Sequence, residues 1–190
     1  MIKSTLTALL FLLSLHIFAQ SNSIDAKWVV VDTLEVKGKI KTALVEVNAI
    51  RELAAKEGND NEVVKASLYR WKFKKLTDEF VLNQILTELD STSLKVGEAQ
   101  AAILSVVKAK LLTDYYQDNR WLIQSISKTN NTEDGTIETW STYRFTKRIA
   151  QAYDRALQNK TVLENTPVEA VLPLIKAAEL GRLYRPSLYD

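Results

Sequence analysis

The chain has 190 residues, 25 basic and 23 acidic side chains, one histidine and no cysteine. A net charge of +2 with charges of both signs interspersed gives no electrostatic case for nucleic acid or an anionic membrane. Without cysteine there is no disulfide framework and no lipid-bearing cysteine, so any stability comes from packing.

The first 20 residues read as a secretory signal peptide: Lys3 supplies a positive start, Leu6 to Phe18 is apolar, and Phe18-Ala19-Gln20 offers a small residue for cleavage. The apolar run is shorter than the roughly 20 residues that a spanning helix needs, so no stable membrane span is expected after cleavage. Export to the periplasm or cell envelope follows. Residues 21–190 are then one helical domain. Removing Lys3 leaves 24 basic against 23 acidic residues, a balance of +1. The sole histidine, His16, lies inside the leader. The mature chain therefore has neither His nor Cys. That excludes Ser-His and Cys-His nucleophilic sites and Cys/His zinc sites, and it removes the usual general base near neutral pH.

Asp25 to Val36 places Trp28, Val31 and Leu34 three apart, a first helix that Gly38 breaks. Lys39 to Glu57 carries Ile40, Ala43, Leu44, Val47, Ile50 and Ala54 on one stripe. Gly58 closes that helix, and Asn59-Asp60-Asn61 restarts the chain. Glu62 to Leu76 is a basic helix with two apolar lines, Val64-Leu68-Trp71 and Ala66-Tyr69-Phe73. Its lysines are expected to reach solvent while the aromatics fill the core. Thr77 should cap a fourth helix, with Asp78 and Glu79 in its first turn and Leu82, Ile85, Leu86 and Leu89 on its buried face.

Lys95 to Trp121 reads as the central helix. Ile103, Leu104, Val106, Val107, Leu111 and Leu112 cover more than half its circumference, which predicts burial on several sides. Lys108 and Lys110 lie within this run and are expected to reach an edge carboxylate or water. Leu122, Ile123 and Ile126 fit a short strand or an irregular segment. Lys128 to Thr139 is a polar loop with a turn at Asp134-Gly135. Trp140 to Leu157 is helical, with Phe145, Ile149, Ala152, Tyr153 and Ala156 on one side. Thr166-Pro167-Val168-Glu169 signals another helix start, divided at Pro173 and ended by Gly181. Arg185-Pro186 imposes an extended exit.

The sum is an all-α fold of antiparallel helical hairpins. Trp28, Gly38 and Ala43-Leu44 suggest degenerate tetratricopeptide-like stacking, although no 34-residue period repeats. No phosphate-binding glycine loop or nucleophile elbow is present, and no cofactor is expected. Glu88, Glu98, Asp114 and Asp118 lie in no distinctive motif and fit helix ends and solvent faces, so the chain reads as non-enzymatic. The best candidate site is the end of the central helix, where Tyr116, Asn119, Arg120 and Trp121 gather aromatic and guanidinium groups of the kind that anchor interfaces. As structure, the same residues would make a buried aromatic helix end, with Asn119 terminating it and Arg120 bonding the last carbonyls.

Five stretches carry a resemblance: Ser67-Leu68-Tyr69-Arg70, Asp114 to Trp121, Thr139-Trp140, Asn165-Thr166-Pro167, and the closing Arg185-Pro186-Ser187-Leu188-Tyr189-Asp190. In order and spacing they resemble the N-terminal helical region of large bacterial alpha-2-macroglobulin-like proteins. The resemblance implies a chain that continues beyond Asp190 into β-sandwich domains. It also implies work as part of a broad endopeptidase inhibitor that traps proteases. It adds Arg185 to the candidate interface and makes other domains of the same larger chain the direct partners, with proteases as indirect targets. The thioester motif of that family, Cys-x-Glu-Gln, has no counterpart here. A second expectation is a free-standing periplasmic helical-repeat adaptor that holds a peptide or protein.

Overall fold

The computed structural model describes residues 23–77, 81–126, 135–174 and 185–189. The expected leader, Asp78, Glu79, most of the polar loop and Gly181 lie outside these residues. The chain divides into two compact units, within 1–77 and within 78–190. Both are helical, and the hairpin connections are short.

The first unit has three helices: α1 (Ile24–Val36), α2 (Ile40–Glu57) and α3 (Asp60–Lys75). Ser23 Oγ accepts from the Ala26 amide at 3.2 Å and starts α1. Gly38 and Gly58 both adopt positive φ, 69° and 67°, where a side chain would be strained. These turns fold α2 back on α1 and α3 back on α2. Trp28, Val31, Ala43, Val47, Ile50, Ala66 and Phe73 form one buried cluster, with Leu34, Ile40, Leu44 and Tyr69 packed on its edge. The predicted stripes of all three helices meet here. Ala43 and Ala66 are fully buried and let the helices approach closely.

The lysines behave as expected. Lys72 reaches Glu35 at 2.5 Å, and Lys65 Nζ stands 4.2 Å from the centre of the Trp28 ring. The indole N–H of Trp28 is satisfied by Glu62 Oε2 at 2.5 Å.

The second unit contains α4 (Val81–Ser93), α5 (Glu98–Asp118), α6 (Arg120–Ser125), α7 (Thr142–Ala156) and α8 (Lys160–Asn165), with 3-10 turns at Ile137–Thr139 and Val168–Val171. Helix α5 is its hub, packed on α4, α6, α7 and α8. Leu104, Ala109 and Leu112 are fully buried along it. Lys108 holds both oxygens of Asp90 at 2.7 Å, the edge pairing anticipated for it.

Several expectations are corrected. The central helix starts at Glu98 rather than Lys95, because the Lys95 amide bonds back to Thr92 and Gly97 is extended. It ends at Asp118, before Trp121. Val106 is 47% exposed, so the apolar surface of α5 is only partly covered. Small residues, Ala99, Ser105 and Ala109, take buried positions where neighbouring helices come close. Leu122 and Ile123 are neither strand nor irregular: Arg120–Ser125 is a short helix that buries Ile123, and only Ile126 leaves it in an extended conformation. Within the loop, Ile137 is fully buried, and its amide is held by Asn83 Oδ1 at 3.0 Å. Trp140 precedes α7 rather than opening it, pinned by its indole N–H to the Gly135 carbonyl at 2.8 Å. Tyr153 is 45% exposed, off the α7 core face.

Thr166 does not cap a helix. Its hydroxyl donates back to Val162 at 2.7 Å, closing α8, and Pro167 leads into a single 3-10 turn. The Val168 amide, an orphan at a helix start, bonds instead to the Pro186 carbonyl at 3.0 Å, and Leu188 donates to Thr166 at 2.9 Å. Just after Arg185-Pro186, Ser187 forms an antiparallel bridge with Pro167.

Candidate functional site

The eight residues from Asp114 to Trp121 split into two halves with different environments. Tyr115 and Tyr116 are half-buried against Phe145 of α7. The Tyr115 ring stacks on Phe145 at 5.8 Å and 16°, and the Tyr116 ring meets it at 5.7 Å and 45°. Trp140 closes the other side at 5.4 Å. The Arg144 guanidinium lies 4.4 Å from the Trp140 ring centre and is itself buried. This is a four-ring packing cluster centred on a fully buried Phe145. Aromatic pairs at these separations contribute about 0.5–1.5 kcal/mol each beyond their area.

Asn119 is the joint. Its amide N–H and its side-chain Nδ2 both donate to the Tyr115 carbonyl, at 3.0 and 2.9 Å, and its own carbonyl accepts from Ile123 at 3.1 Å. It therefore ends α5 and begins α6. The terminating role expected of Asn119 is present. The carbonyl-capping role expected of Arg120 is filled by Asn119 instead.

Beyond that joint the chain faces water. Trp121 is 89% exposed, Leu122 is 69% exposed, and Arg120 is exposed beside them. The expected buried aromatic end is thus half right: the tyrosines pack and the tryptophan does not. The two faces of α6 explain this. Ile123 anchors the helix on the unit, and a six-residue helix with one buried anchor leaves its remaining large side chains outside.

Of the predicted interface residues, Tyr116, Asn119, Arg120 and Trp121 are together at the α5–α6 joint. Arg185 is elsewhere. It is exposed and adjoins the Pro186–Val168 bond, on the stretch whose Tyr189 ring sits 4.8 Å beneath Lys160. Asn159, next to Lys160, donates to Glu98 at 2.5 Å, at the opposite end of α5 from Asn119. Helix α5 has 21 residues, roughly 30 Å of axis, so Arg185 does not share a site with Trp121.

Next to the tyrosines, Glu138 accepts from Asn83 Nδ2 with both oxygens, at 3.1 and 3.2 Å. Burial alone would raise its pKa. Hydrogen bonds from Thr136, its own backbone and Asn83 outweigh that and hold it below the ordinary glutamate value. Tyr115 moves upward, first because it is buried and then because Glu138 lies near. The two shifts are linked by the proximity of Glu138 to Tyr115.

The sequence reading missed a cleft on the α7 side of this unit. A cavity of about 430 Å³ is bounded by Glu98, Ala101, Ala102 and Ser105 of α5 and by Arg155, Asn159 and Leu163. A smaller one of about 140 Å³ adjoins it between α4, α5 and α7, with Arg148, Gln151 and Arg155 on one wall. The signal was present in the sequence as Arg148, Gln151, Arg155 and Gln158, at offsets of three, seven and ten. These donors run beside the apolar stripe of α7, whose Ala152 and Ala156 also line the cleft.

Among the described residues, no three His, Cys, Asp or Glu side chains converge on a metal-sized site, and no helix is long and apolar enough to cross a membrane. No protein-family model, curated protein or solved structure matches the chain.

Proposed function

We propose that this chain is a non-enzymatic helical scaffold and docking module of an exported alpha-2-macroglobulin-like endopeptidase inhibitor, working in the periplasm or cell envelope. The inhibitory parts lie outside these residues. In this reading the stacked hairpins are a degenerate tetratricopeptide-like array, and further domains of the same larger chain are its direct partners. The resemblance of five motif stretches, in order, supports the family.

The observation that carries the docking role is the exposure of Trp121 and Leu122 beside Arg120. The neighbouring tyrosines of the same motif are folded into the unit, so the exposed half is not explained by packing. An exposed Trp flanked by Arg and an aliphatic residue has the composition of an interface anchor. Proteases are reached only indirectly, once captured by other parts of the protein.

The test begins with the natural gene product, isolated from the cell envelope. The reading predicts a polypeptide several times larger than 21.5 kDa that retains an added protease in a size-exclusion complex while sparing its activity on small substrates. Replacing Trp121 by Ala in that protein should loosen the contact between the helical module and the rest of the chain, seen as faster limited proteolysis at the boundary. A natural protein that ends at Asp190 and retains no protease refutes the reading. The second reading, an exported adaptor that holds a peptide, is favoured by the cleft beside α7.

A further inference from the structure

Helix α7 presents two faces to its own unit. One is apolar and buried, carrying Phe145, Ala152 and Ala156. Flanking it runs a stripe of long donors, Arg148, Gln151 and Arg155, continued past the helix end by Gln158. Arg155 borders both cavities described above and a shallower outer recess, so the three spaces adjoin one another along this stripe.

The charges in the cleft are unequally satisfied. Asp90 is neutralised by Lys108 at 2.7 Å. Glu98 is engaged by Asn159 at 2.5 Å. Asp154 borders only the outer recess. Arg148 and Arg155 form no ion pair among the described residues. Two guanidinium groups thus line a cleft in which Asp90 is paired to a cation and Glu98 is held by a neutral amide. A guanidinium fork is matched by a carboxylate, which it binds through two parallel hydrogen bonds.

The spacing selects the shape of the ligand. Arg148 and Arg155 are seven residues apart on one helix, ~10.5 Å along its axis. A polyproline II strand repeats every three residues and rises ~9.3 Å over that repeat, presenting every third side chain on the same side. A helical ligand, ~10–12 Å across, is too wide for the inner cavity of about 140 Å³, which has room for a side chain.

We propose that the cleft along α7 binds an extended acidic peptide, with Arg148 and Arg155 each holding one of two carboxylates set three residues apart. Ala101, Ala102 and Leu163 provide an apolar floor for the residues beside one carboxylate, and Gln151 and Gln158 donate to the peptide backbone. This site is separate from the Trp121 surface and stands whether or not the chain belongs to a protease trap.

The test uses the full chain without its leader and a fluorescein-labelled, end-blocked peptide containing Glu-Pro-Pro-Glu flanked by prolines. Fluorescence anisotropy at low ionic strength should show saturable binding. Glutamine in place of both glutamates should weaken it at least tenfold, and moving the glutamates to adjacent positions should weaken it several-fold. Arg148→Gln and Arg155→Gln should each weaken binding about tenfold, while Lys110→Gln, which removes an equal charge from an exposed pair on α5, should not. Raising ionic strength should weaken binding of the glutamate peptide only. Circular dichroism melts confirm that each variant is folded. Equal binding of the Glu and Gln peptides, absence of binding at millimolar peptide, or binding that survives both arginine substitutions overturns the proposal.

Discussion

Replacing Phe145 with Ala separates packing from interface within one motif. Phe145 is fully buried and touches the rings of Tyr115, Tyr116 and Trp140, at 5.8, 5.7 and 5.4 Å. Truncating a buried Phe costs ~3–5 kcal/mol, the sum of lost transfer energy and the cavity left behind. The ring contacts place this case toward the upper end, because all three partners lose their common surface. The second unit has about 110 residues, for which the unfolding entropy near the midpoint is ~0.23 kcal/mol/K, so its melting temperature should fall by ~13–22 °C. Trp121→Ala, at a side chain 89% exposed, should change stability by less than ~0.5 kcal/mol, or about 2 °C.

The assay is thermal unfolding followed by far-UV circular dichroism, with Phe145→Leu as a milder variant should the alanine form fail to fold. Since domains of this size have only ~5–15 kcal/mol of stability, that outcome is realistic, and the leucine variant then still reports a loss of ~1–2 kcal/mol. A fall below ~4 °C for Phe145→Ala, or a fall of similar size for Trp121→Ala, would refute the division of the motif into a packed half and an exposed half.

Two further outcomes follow from the geometry. Gly58→Ala should destabilise the first unit by about 1 kcal/mol, because φ is 67° there, while Gly58→Asn should cost less; nothing lies within 4 Å of the added carbon, so an effect several times larger would contradict a purely conformational cause. Glu138 has a folded-state pKa below its ordinary 4.5, so the stability it lends is complete above that value and is lost as pH falls through the lowered one. Urea midpoints should therefore fall less steeply from pH 6 through 4 to 3 in Glu138→Gln than in the parent chain, and an unchanged pH dependence would exclude this role for Glu138.

Where apolar period and turn chemistry agreed, the fold was legible in the sequence. Trp28-Val31-Leu34 and the Ile40 to Ala54 stripe predicted the helices of the first unit, and both glycines that end them do adopt positive φ. The failures arose where one side chain had two uses. Thr166 looked like a cap for the residues after it, yet its hydroxyl serves the helix before it. Leu122 and Ile123 looked like a strand because neighbouring apolar residues do not reveal which one is buried. Trp140 was read into a helix because an aromatic fits its periodicity, whereas its indole N–H is committed to Gly135 outside the helix.

The candidate site was legible as a cluster and misread as a unit. Composition identifies Tyr116, Asn119, Arg120 and Trp121 as neighbours, but the break at Asn119 is a matter of backbone torsion, φ −112° and ψ 20°, which residue type does not dictate. Arg185 was attached to them through resemblance alone, and the hydrogen bonds at the ends of α5 separate it. The α7 cleft was hidden for a different reason: it requires small residues on α5 to face long donors on another helix, and no local window contains both.

The burial pattern of the tryptophans also makes this protein its own spectroscopic probe. Of the four, Trp28, Trp71 and Trp140 are 6%, 4% and 8% exposed, and Trp121 alone stands in water. Red-edge emission and collisional quenching by acrylamide will report almost entirely on Trp121. Its intrinsic fluorescence will sense any molecule that settles on the α5–α6 joint, with the three shielded indoles as a constant internal reference and no label needed.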